Sequence, residues 1–130
     1  IIIHSGLSTE ELIRTYCLAD IFVLPTLEDI WGFVINEAMA CGLPIISTKA
    51  SQAAIEMIRQ GENGYIVKEG DVEELYFVLK KLVLDNNLRK KISHNSRIIL
   101  KKHFNIDTMV DGFLQAIKYA LIKQKRRACI

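Results

Sequence analysis

A chain of 130 residues, 50% hydrophobic and 25% charged, with net charge +2, has the balance of one soluble globular domain with a real core. No apolar run approaches the roughly 18 residues that a membrane-spanning helix requires; "DIFVLP" and "ELYFVLKKLVL" are too short or broken by lysines. The small net charge hides an uneven spread, since residues 1–74 carry 4 basic and 12 acidic side chains, residues 75–130 carry 13 and 3, and a basic C-terminal third can in principle meet nucleic acid, anionic lipid or an acidic partner.

The chain opens "IIIHSG", with neither a basic segment nor a small-residue cleavage site, so it shows no signal-peptide pattern. It reads as a piece cut from a longer chain, beginning in mid-strand. "IIIHS" is the first predicted strand. Ser8 and Glu11 have capping-box spacing and open a helix with Leu12, Ile13, Tyr16 and Cys17 on one face. "DIFVLPT" is a continuous apolar run of strand length, the mark of a parallel strand buried on both faces. The loop "LEDIWG" follows. A helix is predicted over 33–41, stopped by Gly42 and Pro44. "PIIST" is the third strand, and a helix over 51–60 stops at Gly61. "ENG" turns the chain into the fourth strand, "YIV". Asp71 and Glu74 form a second capping box, before a stripe of Val72, Leu75, Leu79, Leu82 and Val83. Two more helices follow, over 88–103 and 107–124, the last with Val110, Phe113, Leu114, Ile117 and Leu121 at helical spacing. The lysines of this region fall between apolar residues, and no aromatics interleave with them. They read as solvated helix faces and not as a nucleic-acid platform.

Strands alternating with helices predict an α/β fold, a Rossmann-like parallel sheet flanked by helices. Ligands of such sheets sit outside the carboxyl ends of the strands, where "LEDIWG" lies. Gly32 lets a ligand approach the backbone closely. Phe33 and Val34 offer the free amides of a helix N-terminus, a ready anion site. Glu37, one turn on and on the same side as Phe33, can accept two hydrogen bonds, as the cis-diol of a ribose supplies. Asp29 can accept from hydroxyls on the far side of the anion. That pattern suits a nucleotide diphosphate sugar. The plainer readings stay open: Glu37 opposing the helix dipole, and Asp29 as a turn or capping residue.

"FVLPTLEDIWGFVINEAMACGLPIIST" and "GENGYIV" followed by "EGD" resemble the group 1 (family 4) glycosyltransferases. The resemblance implies one half of a GT-B fold, the C-terminal donor-binding half of a longer enzyme that transfers a glycosyl group from a nucleotide diphosphate sugar to an acceptor hydroxyl, with retention. Asp29 and Glu37, with seven residues between them, fall on the family's pair of glutamates. The resemblance makes both catalytic candidates: Glu37 for the donor's ribose, Asp29 for hydroxyls of its sugar. Gly32, Phe33 and Val34 would meet the diphosphate or the sugar. The acceptor, a sugar or lipid, would bind an N-terminal domain, and an Arg and a Lys that also meet the diphosphate would lie upstream. Two departures stand out. Asp29 is shorter than the usual Glu, and "KASQAAIE" has Gln52 and Ala53 where the family often has a glycine pair.

Residues 1–130 are thus expected to form a single partial domain, with a C-terminal helix and basic tail over about 105–130. No cofactor and no metal are expected: there is no Asp-x-Asp pair, and His4, His94 and His103 show no metal-ligand spacing. Three cysteines without CxxC spacing read as reduced thiols of a cytoplasmic protein, Cys41 packing as a small apolar residue. Trp31 reads as a packing residue. Lys118, Lys123, Lys125, Arg126 and Arg127 would give a weak peripheral contact at the inner membrane face, and nucleic acid is not expected as a partner. The alternative is a non-catalytic Rossmann-like module for binding or assembly.

Overall fold

A computed structural model describes the backbone of residues 3–128 and the side chains of 3–124. The chain divides into two units, Ile1–Leu100 and Lys101–Ile130. The first holds α1 (Thr9–Leu18), β1 (Phe22–Leu24), α2 (Phe33–Ala40), β2 (Ile45–Thr48), α3 (Gln52–Met57), β3 (Gly64–Val67), α4 (Val72–Leu84) and most of α5 (Asn86–His103). The second holds α6 (Ile106–Ala128).

The strands form one parallel sheet in the order β1-β2-β3, with Val23, Ile46 and Tyr65 in register. The predicted fold class holds, but with three described strands rather than four. Residues 3–5 of "IIIHS" carry no strand, and Ile1 and Ile2 lie outside the described residues. β2 is central and wholly buried. β1 is only half-buried, which corrects the reading of "DIFVLPT" as buried on both faces: with one paired neighbour, a flanking strand has less to shield it. At the other edge the Gln60 amide accepts from the Ile66 N–H at 2.7 Å and donates to the Ile66 carbonyl at 3.4 Å. A side chain thus stands where an exposed edge would invite another strand.

On one face Ile46, Tyr65 and Val67 pack with Leu82 of α4 and Ile92 of α5. Alternation along β2 points Ile45 the other way, and it too is fully buried, as are Met39 of α2 and Met57 of α3. Helices therefore flank the sheet, as the strand–helix alternation predicts.

Local signals explain most helix ends. The Ser8 hydroxyl accepts from the Glu11 N–H at 3.3 Å and the Glu11 carboxylate from the Ser8 N–H at 2.9 Å, the predicted box. Of the expected α1 face only Tyr16 is buried; Leu12 is half-buried, and Ile13 and Cys17 are exposed. Gly42, with φ +77°, ends α2. Its N–H donates to Met39 and that of Leu43 to Ala38, each at 2.9 Å, the paired bonds of a Schellman stop.

Elsewhere a competing partner wins. α3 stops at Met57, three residues early, because the fully buried Asn63 folds back: its side chain accepts from the Arg59 N–H at 2.7 Å and donates to the Met57 carbonyl at 3.0 Å. Asp71 caps α4 through the Glu74 N–H at 2.9 Å. The Glu74 carboxylate, however, takes the Lys68 N–H at 2.7 Å, so only half of the expected box forms. Val72 and Val83 are exposed, while Val78 joins Leu75, Leu79 and Leu82 in the packed stripe. The buried Ser96 hydroxyl of α5 is shared between the carbonyls of Leu43 and Asn63, at 3.0 and 3.1 Å.

In the second unit Asn105 and Thr108 cap α6 reciprocally, each side-chain oxygen accepting the other's N–H at 2.9 and 3.2 Å. Val110, Phe113, Leu114, Ile117 and Leu121 are all exposed. Cys129 and the side chains of Lys125, Arg126 and Arg127 lie outside the described residues. No helix among the described residues is long and apolar enough to cross a membrane.

Candidate functional site

The loop after β1 is tied at several points to the strand and loop beside it. The Thr48 hydroxyl donates to the Thr26 carbonyl at 2.6 Å, and the Asp29 N–H to the Ala50 carbonyl at 3.1 Å. The Trp31 carbonyl accepts from the Ala53 N–H at 2.8 Å and the Ser51 hydroxyl at 3.0 Å. Trp31 itself is half-buried, with its indole N–H on Asn36 at 3.3 Å, in keeping with a packing role. These bonds fix the entrance to α2 at the carboxyl ends of β1 and β2.

Gly32 occupies that entrance with φ +85°, a region in which L residues are strained. A Cβ there would stand 2.6 Å from Ser51 Oγ and 2.9 Å from Asp29 Oδ2. Conformation and space both require glycine, and the Asp29 carboxylate lies against the helix entrance. No side chain caps α2. The Phe33 and Val34 N–H groups belong to the first turn, whose donors have no intrahelical acceptor, and they lie where the helix dipole favours an anion.

Glu37 lies on the same eight-residue helix, and its side chain is exposed. No Lys or Arg lies within one helical turn of it, so the sequence alone reads Glu37 as held by a ligand and by no side chain. The structure corrects this: Tyr16, from α1, donates its hydroxyl to Glu37 Oε2 at 2.9 Å. Tyr16 is 7% exposed and stacks at a tilt on Phe22, ring centroids 5.8 Å apart. Burial first, and the bond to Glu37 second, raise its hydroxyl pKa far above the ordinary tyrosine value, so it remains a donor throughout the neutral range. Sequence reasoning placed Tyr16 on a core face and missed this contact. The available signal was chemical: a buried tyrosine hydroxyl requires a partner.

Glu37 and Tyr16 line a cleft of about 370 Å³ between α1 and α2, with Leu12, Ile13, Ala40 and Cys41. That volume lies within the range of small-molecule sites. A second cleft, of about 220 Å³, opens over the carboxyl ends of the strands between Pro25, Thr48, Val67 and Lys68. None of the five candidate residues lines it. The structure thus brings Asp29 and Gly32 together at the strand ends and turns Glu37 toward α1.

Cys41 is half-buried rather than packed as a core residue, and it and the exposed Cys17 are both free thiols. Burial pushes the Cys41 thiol pKa up, with Cys17 beside it adding to the shift. Gln52 is exposed and bonded to Glu56 at 3.1 Å, while Ala53 is fully buried. Among the described residues no group of three or more His, Cys, Asp or Glu is placed to hold a metal ion.

Sheet and helix entrance together define a Rossmann-like domain of the kind that makes up half of a GT-B glycosyltransferase. The chain belongs to the family described as Glycosyl transferases group 1, which residues 1–99 match. It is 33% identical over 110 residues to the capsular polysaccharide biosynthesis glycosyltransferase CapM of Staphylococcus aureus, covering 79% of this chain and 29% of that protein. The C-terminal domain of the group 1 glycosyl transferase LpcC of Francisella tularensis superposes with a TM-score of 0.73 at 31% identity, over 80% of this chain and 53% of that one. HepE of Anabaena, solved in complex with UDP-glucose, superposes with a TM-score of 0.70 at 25% identity, over 82% of this chain and 29% of that one. The chain spans under a third of the length of curated relatives such as CapM.

Proposed function

We propose that this chain is the donor-binding part of a glycosyltransferase and that it holds a nucleotide diphosphate sugar. The observation that carries the reading is the uncapped α2 entrance at Gly32, fixed by Ala50, Ser51 and Ala53, with Asp29 against it and Glu37 on the same helix. In this reading the Phe33 and Val34 amides take diphosphate oxygens, Glu37 accepts from the ribose diol and Asp29 from sugar hydroxyls. The HepE complex with UDP-glucose supports this class of donor. As the sugar passes to an acceptor hydroxyl, with retention, the departing diphosphate gains negative charge. Amides aimed at that charge stabilise the transition state.

Calorimetric titration with UDP, ADP, GDP and CDP tests the reading. At least one should bind saturably, and Gly32→Val should weaken it. A folded chain that binds none of the four overturns the assignment. With no Asp-x-Asp pair, binding should be unchanged by a chelator; loss that Mg²⁺ or Mn²⁺ restores would contradict the metal-free expectation.

Charge leads to a further expectation. Residues 1–74 carry 12 acidic and 4 basic side chains, which leaves little cation to balance a diphosphate. The balancing charge then comes from the upstream Arg and Lys that the family resemblance implies. Incubated alone with labelled nucleotide sugars and a broad acceptor mixture, the chain should give no transfer above a heat-treated control. A second reading, a non-catalytic Rossmann-like module for binding or assembly, is favoured by Ala53: it is buried, and its N–H is already bound to Trp31, so close approach of a donor there is obstructed.

A further inference from the structure

The Tyr16–Glu37 bond joins residues 21 positions apart on two helices. Its two ends are unequal. Tyr16 is buried and held against Phe22, whereas Glu37 is exposed, and no ion pair to it forms among the described residues. A glutamate side chain left alone on a helix surface samples several rotamers, and ordering it on ligand binding costs up to about 2 kcal/mol. A fixed hydroxyl bonded to one oxygen removes much of that freedom in advance. An ionised carboxylate accepts at several lone-pair positions, so the bond to Oε2 leaves Oε1 and further capacity for the cleft that both residues line.

We propose that Tyr16 is a positioning residue: its hydroxyl fixes the Glu37 carboxylate so that the remaining acceptor positions meet the two hydroxyls of a ribose in the α1–α2 cleft. The inference rests on the reading of Glu37 as the diol acceptor. It adds that the ribose contact is prepared from α1, outside the helix that meets the diphosphate. A bond that served only to pack α1 on α2 would have no bearing on which sugar a nucleotide carries, and the test uses that difference.

The chain is titrated calorimetrically with UDP, ADP, GDP and CDP and with the 2′-deoxy counterpart of each. Wild type should prefer the ribonucleotide it binds over the deoxy form by about tenfold or more, the scale of a hydrogen bond to a charged acceptor. Tyr16→Phe keeps the ring and should cut that preference about fivefold, leaving deoxy affinity within a factor of two. Glu37→Asp, which retains the tyrosine and shortens the carboxylate away from it, should cut the preference likewise and serves if Tyr16→Phe does not fold. In a Glu37→Gln background Tyr16→Phe should change the preference no further. Equal weakening of ribo and deoxy forms by Tyr16→Phe, or an unchanged preference, makes the bond a packing contact and overturns the inference alone. A wild type that binds nucleotides without ribo preference, or binds none, removes the Glu37 reading itself.

Discussion

Gly64→Val should lower the melting temperature of the chain by about 10 °C, the expected consequence of roughly 3 kcal/mol of overpacking in a chain of this size. Gly64 opposes Ile45 in the β2–β3 register. A Cβ on it would stand 2.3 Å from the Ile45 carbonyl oxygen and 3.2 Å from Ile58 Cγ2. The first contact is with the backbone of the central strand, which cannot move aside as a side-chain tip can. Relief requires β3 to separate from β2, and Tyr65 and Val67 leave the core with it. Gly112→Ala is the control. A Cβ there meets nothing within 4 Å, and an alanine inside α6 suits a helix better than glycine by roughly 0.5–1 kcal/mol. Thermal melts followed by circular dichroism should separate the two. A melting point for Gly64→Val within about 3 °C of wild type, the shift expected from roughly 1 kcal/mol, would mean that the strand pairing yields more easily than the geometry implies.

The second large effect is on binding. Glu37→Ala should weaken nucleoside diphosphate affinity by about 1.5–3 kcal/mol, or roughly 10- to 150-fold, by removing a charged acceptor. It should also cost about 0.5–1.5 kcal/mol of stability, the net worth of the lost bond from the Tyr16 hydroxyl. The sequence alone suggests only a modest dipole effect on folding; the Tyr16 bond raises that figure. The double variant Tyr16→Phe/Glu37→Ala removes both partners, and should recover most of the melting temperature while affinity stays low. Unchanged affinity in Glu37→Ala together with a large fall in melting temperature would assign Glu37 a structural role alone.

Features set by neighbouring residues were legible in the sequence. The Ser8–Glu11 box and the Gly42 stop involve groups within a few positions of one another, so spacing specifies them, and the α2 entrance follows from the glycine before the helix. Features set by competition or by distance were not. Asp71 and Glu74 have the spacing of a box, but the Lys68 N–H captures the glutamate. The spacing of 51–60 suits a helix, yet Asn63 ends it early with two bonds from outside the segment. The burial of β1 depends on how many strands flank it, which the seven letters of "DIFVLPT" do not contain. Tyr16 meets Glu37 only because α1 packs beside α2, and no periodicity within either helix encodes that meeting.

Ser96 has a consequence for where this chain can be shortened. Its single hydroxyl serves the Leu43 carbonyl, two residues ahead of β2, and the Asn63 carbonyl, immediately ahead of β3, so one group on α5 pins the approaches to two adjacent strands. A truncation ahead of α5 removes that pin together with Ile92 and Ile99, both buried, and exposes the underside of the central strand. One placed in the turn between α5 and α6 keeps all three. The smallest piece able to hold its strand alignment by itself therefore reaches past Ile99, and a minimal expression boundary belongs near Phe104, well beyond the last strand.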